Sequence, residues 1–160
     1  MEHKQLLTVF NSLPVGIGFF TADGTLVRCN ESFCRIFGAD SQTLLGNKLN
    51  INENSVVPDV VKEAVRRCVP VQMSFLYDFD KQRTDKRFFS TRTRTCYLKC
   101  NGNPLYDNDG KFVNYIFIFE DITETVKSEE VLRQSRRKTE LAMKAANIMF
   151  WEFDAVAKLF

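Results

Sequence analysis

Histidine is almost missing from this chain of 160 residues: His3 is the only one. A Ser-His-Asp or Cys-His arrangement needs an imidazole beside its nucleophile, and the body of the sequence offers none. A tetrahedral zinc site needs four converging ligands. The five cysteines include Cys29 with Cys34 and Cys96 with Cys100, neither pair at the two-residue interval of a zinc motif. Free cysteine packs as a small hydrophobe, so no metal is expected, and an odd number makes no tidy disulfide framework. A nucleotide-binding glycine box is absent. Gly16-Ile17-Gly18 lacks the third glycine and the following helix, and reads instead as a strand on which another element packs closely. No stretch reads as a histidine-phosphorylation helix. There is no apolar leader and no run of about 18 apolar residues. The sequence therefore predicts a soluble, cytoplasmic chain with reduced thiols and no direct membrane contact, whose longer parent could be membrane-anchored elsewhere.

Excess charge is also lacking. The net charge of +2 creates no field that would gather nucleic acid or anionic membrane. The basic run Lys81, Arg83, Lys86, Arg87, Arg92, Arg94 is diluted by Asp80 and Asp85. It reads as a solvated strand and loop, with Arg92 and Arg94 on one strand face, and no nucleic acid partner is expected. Asp78 and Asp80 read as a solvated strand end rather than a catalytic carboxylate pair.

What the sequence does have is aromatic bulk. Fifteen phenylalanines in a chain that is 44% apolar need an interior, and the length suits one domain. "KQLLTVFNSLP" predicts a short helix stopped by Pro14, while "MEHK" before it gives no structural signal. "VGIGFFTADGTLVRCN" predicts a hairpin, Val15–Phe20 and Leu26–Cys29, turning at Asp23-Gly24. "NESFCRIFG" predicts a helix from an Asn30 cap to Gly38. "DSQTLLG" repeats that design with Leu44 and Leu45 buried and Gly46 as stop. "PDVVKEAVRRC" places Pro58 at a first helical position, with Val61 and Val65 on one face. "NKLNINENSVVP" shows no clear period. Strands follow: "VQMSFLYDF", the long alternation "RFFSTRTRTCYLKCN", and Phe112–Glu120 after a turn at Asp109-Gly110.

The last strand is apolar on both parities, Tyr115, Phe117 and Phe119 against Ile116 and Ile118, which predicts that both sheet faces are covered, one by the small helices and the other by a terminal helix or a second subunit. It runs without Gly or Pro into a helix from Asp121 to Ala146, about 37 Å long at 1.5 Å per residue. Ile122, Val126, Leu132, Met143 and Ala146 recur there at helical steps, but the stripe turns polar through "RQSRRKTE". That seam is too weak for a standalone coiled coil and suits a marginal dimer helix, with a lone solvated linker helix as the alternative. Grouped helices and hairpin strands imply an α+β fold with an antiparallel sheet.

The order of these parts resembles a PAS domain, on "LPVGIGFFTADGTLVRCNESFCRIFG" at the front and "NPLYDNDGKFVNYIFIFEDIT" at the back. The similarity runs from about Leu6 to Thr123 and ends in Asp121-Ile122-Thr123, which looks like the family's D-I-T terminus. "AANIMFWEFD", from Ala145, is similar to the opening strand of another such domain. The resemblance implies a PAS fold, a five-stranded antiparallel sheet with short helices on one face, an N-terminal helix and a long C-terminal signalling helix. The expected division is a flanking helix over 1–13, a PAS domain over 14–123, a signalling helix over 124–146 and the truncated start of a second PAS domain over 147–160.

Haem-binding members use a histidine on a helix or nearby loop, so haem is disfavoured. Flavin light sensors carry their reactive cysteine on a later helix than the one holding Cys34, so flavin is disfavoured too. A pocket, lined by Phe33, Phe37, Val61, Val65, Phe75, Tyr77 and Leu98, would hold an unknown small ligand, or those side chains simply fill the space. The resemblance further implies that Asp121 or Thr123 fixes the helix exit. We expect Asp121 to meet a basic residue or a backbone N–H while Ile122 anchors the first turn. The expected role is a sensory and dimerisation module, not an enzyme, relaying through its C-terminal helix to an output domain of a bacterial sensor histidine kinase and pairing as a homodimer through its terminal helices. A ligand-free structural dimerisation module, or a PAS domain of a cyclic-dinucleotide enzyme or transcription regulator, remains the alternative.

Overall fold

The computed structural model describes residues 2–82 and 90–145. The chain divides after Thr123 into two units, and each is taken by itself. The first contains α1 (Glu2–Ser12), β1 (Gly16–Phe20), β2 (Leu26–Cys29), α2 (Glu31–Phe37), α3 (Ser41–Gly46), α4 (Asp59–Arg67), β3 (Val71–Asp78), α5 (Phe79–Gln82), β4 (Thr95–Tyr106) and β5 (Phe112–Asp121). Helix α6 (Thr123–Ala145) starts on the last residue of the first unit, and its remainder makes up the described part of the second. The five strands form one antiparallel sheet in the order β2-β1-β5-β4-β3. The architecture is the α+β, five-stranded one expected, with a long C-terminal helix.

Local chemistry sets the boundaries of α2. The Asn30 side chain accepts from Phe33 N at 2.9 Å, and Gly38 closes the helix in a left-handed conformation at φ 64°. On α3, Asp40 accepts from Thr43 N at 2.8 Å, but the helix runs through Gly46 and stops at Asn47. Leu44 is buried there and Leu45 is exposed, so one side of that turn meets the core where two leucines were expected to. Pro58 stands at the N-cap of α4, one position earlier than expected. Helix α1 begins at Glu2 and so includes most of "MEHK".

Residues of alternate parity from β1, β5, β4 and β3 meet the short helices. Tyr115, Phe117, Leu98, Cys100 and Tyr77 are fully buried on that face, with Phe33, Val61 and Val65 opposite. Aromatic edges lock it: Phe33–Phe37 at 4.5 Å, Phe37–Phe119 at 5.2 Å and Phe20–Phe117 at 5.5 Å between centroids. Gly16 lets α2 come close, since a Cβ there would lie 2.9 Å from Ile36 Cδ1 and 3.0 Å from Phe33 Cα. The close-packing reading of Gly16-Ile17-Gly18 matches that approach.

The opposite face is the one expected to lie under a terminal helix or a second subunit. Phe10 of α1 packs on Phe19 at 6.0 Å, but within this unit Ile118, Tyr97 and Leu76 stay exposed. Apolar parity on β5 registered a hydrophobic surface, not what lies over it.

Helix α6 has 23 residues, about 35 Å at 1.5 Å per residue. None of them is buried, and Val131, Leu132 and Leu141 stand exposed. Ion pairs one turn apart, Glu124–Lys127 and Glu130–Arg133, each at 2.9 Å, decorate its surface. Among the described residues no helix is long and apolar enough to cross a membrane.

Candidate functional site

Two features of the first unit could carry function: a cavity under the helices and the exit from β5. The cavity is walled by Phe33 and Phe37 of α2, Phe20 of β1, Phe119 of β5, Phe75 and Tyr77 of β3 and Val61 of α4. The irregular stretch before α4 supplies Leu49, Ile51, Asn54 and Val57. Its volume is about 20 Å³, room for one water and far below the roughly 300 Å³ at which ligand pockets begin. Two polar side chains, Tyr77 and Asn54, are among its walls. The Tyr77 hydroxyl donates to Gln82 Oε1 and accepts from Asn54 Nδ2 at 3.1 Å. Burial raises its pKa well above the ordinary 10, so it stays a neutral donor.

Of the seven residues expected to line a pocket, Phe33, Phe37, Val61, Phe75 and Tyr77 do so. Val65 and Leu98 are fully buried in the same core without reaching the cavity. Val65 sits one turn further along α4, and Leu98 pairs with Phe75 across the sheet. Leu49, Ile51, Asn54 and Val57 were not foreseen because their stretch has no period to read. Phe119 and Phe20 carried a signal, since they share strand parity with the buried Phe117 and Gly18.

At the exit, β5 and α6 are separated by Ile122 alone. Ile122 N donates to Tyr97 O and Tyr97 N donates to Thr123 Oγ1, each at 2.9 Å. The contacts of β4 thus continue past the end of β5 to the first residue of α6. Asp121 Oδ1 accepts from Thr123 N at 3.1 Å and from Thr123 Oγ1 at 2.5 Å. Its Oδ2 accepts from Arg92 at 2.9 Å. Partial burial pushes the Asp121 carboxyl up, but the Thr123 hydroxyl and N–H together with the Arg92 guanidinium outweigh it and hold the group below its ordinary 3.8. Ile122 is half-buried.

Arg92 was placed on a strand face with Arg94, and the structure moves both. Strand β4 begins only at Thr95. The stretch before it bonds instead to the end of α2: Ser90 Oγ donates to Phe37 O at 2.7 Å, and Thr91 N and Oγ1 donate to Gly38 O at 2.7 and 2.9 Å. Arg94 has a positive φ of 70° and donates its N–H to Asp80 at 3.2 Å. Asp78 caps α5, accepting from Asp80 N and Lys81 N at 3.0 Å each. Asp78 ends β3 and Asp80 is exposed, the solvated strand end expected, and both carboxylates also hold backbone N–H groups. Arg83, Lys86 and Arg87, and the predicted second-domain start at 147–160, lie outside the described residues.

A family model described as the PAS fold matches residues 10–127. Among solved structures, an RNA-binding light-oxygen-voltage receptor superposes with a TM-score of 0.62 at 17% identity, over 88% of this chain and 38% of its own. This chain thus spans well under half of that receptor's length. A PAS domain from Colwellia psychrerythraea gives 0.58 at 15% identity, over 78% and 99%. A PAS domain from a two-component sensor histidine kinase gives 0.55 at 14% identity, over 75% and 96%. No curated protein matches the chain. At these identities the superpositions speak to the fold alone, and the family rests on a model that spans most of the chain: this protein belongs to the PAS fold family.

Proposed function

We propose that this chain is a sensory relay module: its PAS core passes a change through Asp121-Ile122-Thr123 into α6 and on to an output domain of the same polypeptide. It binds and relays; catalysis belongs to other domains. The observation that carries this reading is the exit itself. One residue separates β5 from α6, and that residue and its neighbours are bonded to β4 and to Arg92. A junction with no slack transmits displacement of the sheet to the helix, and elements with two packings close in energy are what switches use.

We place the parent among bacterial cytoplasmic or membrane-anchored sensor histidine kinases feeding a phosphorelay, with a second PAS domain beginning near residue 147. The likeness to a sensor-kinase PAS domain supports that placing. A homodimer through the terminal helices fits the exposed Val131, Leu132 and Leu141 of α6 and the exposed Leu6 and Val9 of α1.

Replacing Asp121 by Ala in the full-length parent should uncouple output from stimulus while the domain stays folded. An unchanged stimulus response would refute the relay. The water-sized cavity favours one second reading, a structural dimerisation module with no ligand. Native mass spectrometry separates the two, because a ligand sensor carries or takes up a small molecule and the structural module appears as a bare dimer.

A further inference from the structure

We infer that Arg92 is the positioning residue that joins the cavity walls to the exit, an inference that rests on the relay reading above. Its guanidinium is shared among three elements. Nη1 donates to Ile36 O in the last turn of α2 at 2.9 Å. Nη2 donates to Asp121 Oδ2 at 2.9 Å. The cation lies 5.1 Å from the centre of the Phe79 ring at the start of α5.

The backbone around it is fixed to the same helix end. The final carbonyls of a helix have no partner within it. Here those of Phe37 and Gly38 accept from Ser90 and Thr91, and Arg92 N is tied to Ser90 Oγ at 3.0 Å. Gly38 makes room for this. A Cβ on it would lie 2.7 Å from Arg92 Cγ and 2.8 Å from Ser90 Oγ.

Two of the elements that wall the cavity, α2 and β3, are tied to this group. Helix α2 carries Phe33 and Phe37, which line it, and the carbonyl just before Phe37, Ile36 O, is held by Arg92. Tyr77, which lines it from β3, packs on Phe79 at 4.9 Å, and Phe79 lies under the guanidinium. The planar fork fixes the distance between Nη1 and Nη2, so a shift of α2 pulls on Asp121 or breaks one of two bonds. Lysine has one nitrogen and no plane, and cannot hold both partners in that geometry. Arg92 is about one-third exposed at this point, so water can take over either bond when the walls move.

The test uses the full 160-residue chain, isotope-labelled for NMR. Val61 lines the cavity from α4, and Val61→Ala disturbs that wall without touching Arg92. With Arg92 present, Val61→Ala should move the amide resonances of residues 121–126 and speed their hydrogen exchange about fivefold, the low end of typical inter-site couplings. With Arg92→Lys or Arg92→Gln, the same substitution should leave those amides where the single Arg92 variant put them. An undiminished response in the Arg92→Lys background overturns the role of Arg92 and leaves the relay intact. No response at 121–126 with Arg92 in place overturns the relay itself. If Val61→Ala melts the domain, Leu49→Ala on the half-buried rim of the cavity replaces it, with the same two readings.

Discussion

At its first residue α2 is gripped by a neutral amide that water barely reaches; at its last it is held by a charged guanidinium that water touches. Asn30 is 1% exposed, and all four of its hydrogen-bonding positions are used. Oδ1 accepts from Ile17 N and Phe33 N at 2.8 and 2.9 Å, and Nδ2 donates to Phe10 O and Val15 O at 3.0 and 2.9 Å. That one side chain ties α1, β1 and α2 together. Arg92 ties α2, α5 and the exit with comparable reach, but at the solvent boundary. A neutral, satisfied, buried hub is costly to open and indifferent to pH and salt. A charged hub at the surface is weaker and responds to both. The helix thus has a fixed end and an adjustable one, and the adjustable one faces the exit.

Breaking the fixed end should cost most. Asn30→Ala leaves the four backbone partners without a mate and should lower stability by about 4 kcal/mol, at roughly 1 kcal/mol per orphaned buried group. Urea unfolding measures it, and a loss under about 1 kcal/mol would erase the contrast. Gly38→Ala attacks the other end through its backbone. A left-handed φ together with the close approach to Arg92 and Ser90 should cost roughly 2 kcal/mol, read by thermal melting.

Asp121→Ala should cost least in global stability, about 1 kcal/mol, the scale of a lost cap plus a part-exposed ion pair, while exchange at residues 122–126 accelerates. Acid sharpens the same point. The native Asp121 carboxyl is depressed, so its contribution is fully present above about pH 4, where the unfolded group titrates. It is lost as pH falls through the native value. Carboxyl carbon shifts should therefore give a midpoint below 3.8, and the Asn30 end should show no matching change.

The smallest effect is chemical rather than energetic. Burial pushes the thiol of Cys29, next to Asn30, up to about 12, with the neighbouring Cys34 Sγ at 3.8 Å adding to the rise. Alkylation of Cys29 in the folded chain at pH 8 should run roughly a thousandfold slower than for a free thiol of pKa about 8.5, as followed by peptide mass spectrometry. Rapid labelling would mean that the fixed end opens.

What could be read in the sequence follows this division between local and distant causes. Helix α2 was legible to the residue, because an Asn cap and a left-handed Gly act within four positions. The hairpin at Asp23-Gly24 was legible for the same reason. The start of β4 was not. "STRTRT" alternates like a strand, but Ser90 and Thr91 spend their donors on carbonyls more than fifty residues earlier in the chain. The resemblance of the exit motif implies that Asp121 meets a basic residue or a backbone N–H, and it meets both, Arg92 and Thr123 N. Which basic residue is not legible, because Arg92 alternates like a strand residue and lies outside β4. The cavity splits likewise. Apolar period marks burial, and it selected seven residues that are largely buried. Whether a buried side chain meets a void depends on the wall opposite, which is why Val65 and Leu98 fall outside and the unpatterned Leu49–Val57 stretch falls inside.

The sheet order has a consequence for how this molecule comes into being. Strand β1 lies between β2 and β5, pairing Gly16 with Phe119 and Phe20 with Tyr115. Its second partner is about a hundred residues away. On a ribosome adding roughly 10 residues each second, the first hairpin must wait on the order of ten seconds with one edge open. Pairings of such long range slow folding and leave that edge exposed meanwhile. The strand that finally seals it is the one that ends at Asp121, so a nascent chain gains its finished interior and its outlet in the same step.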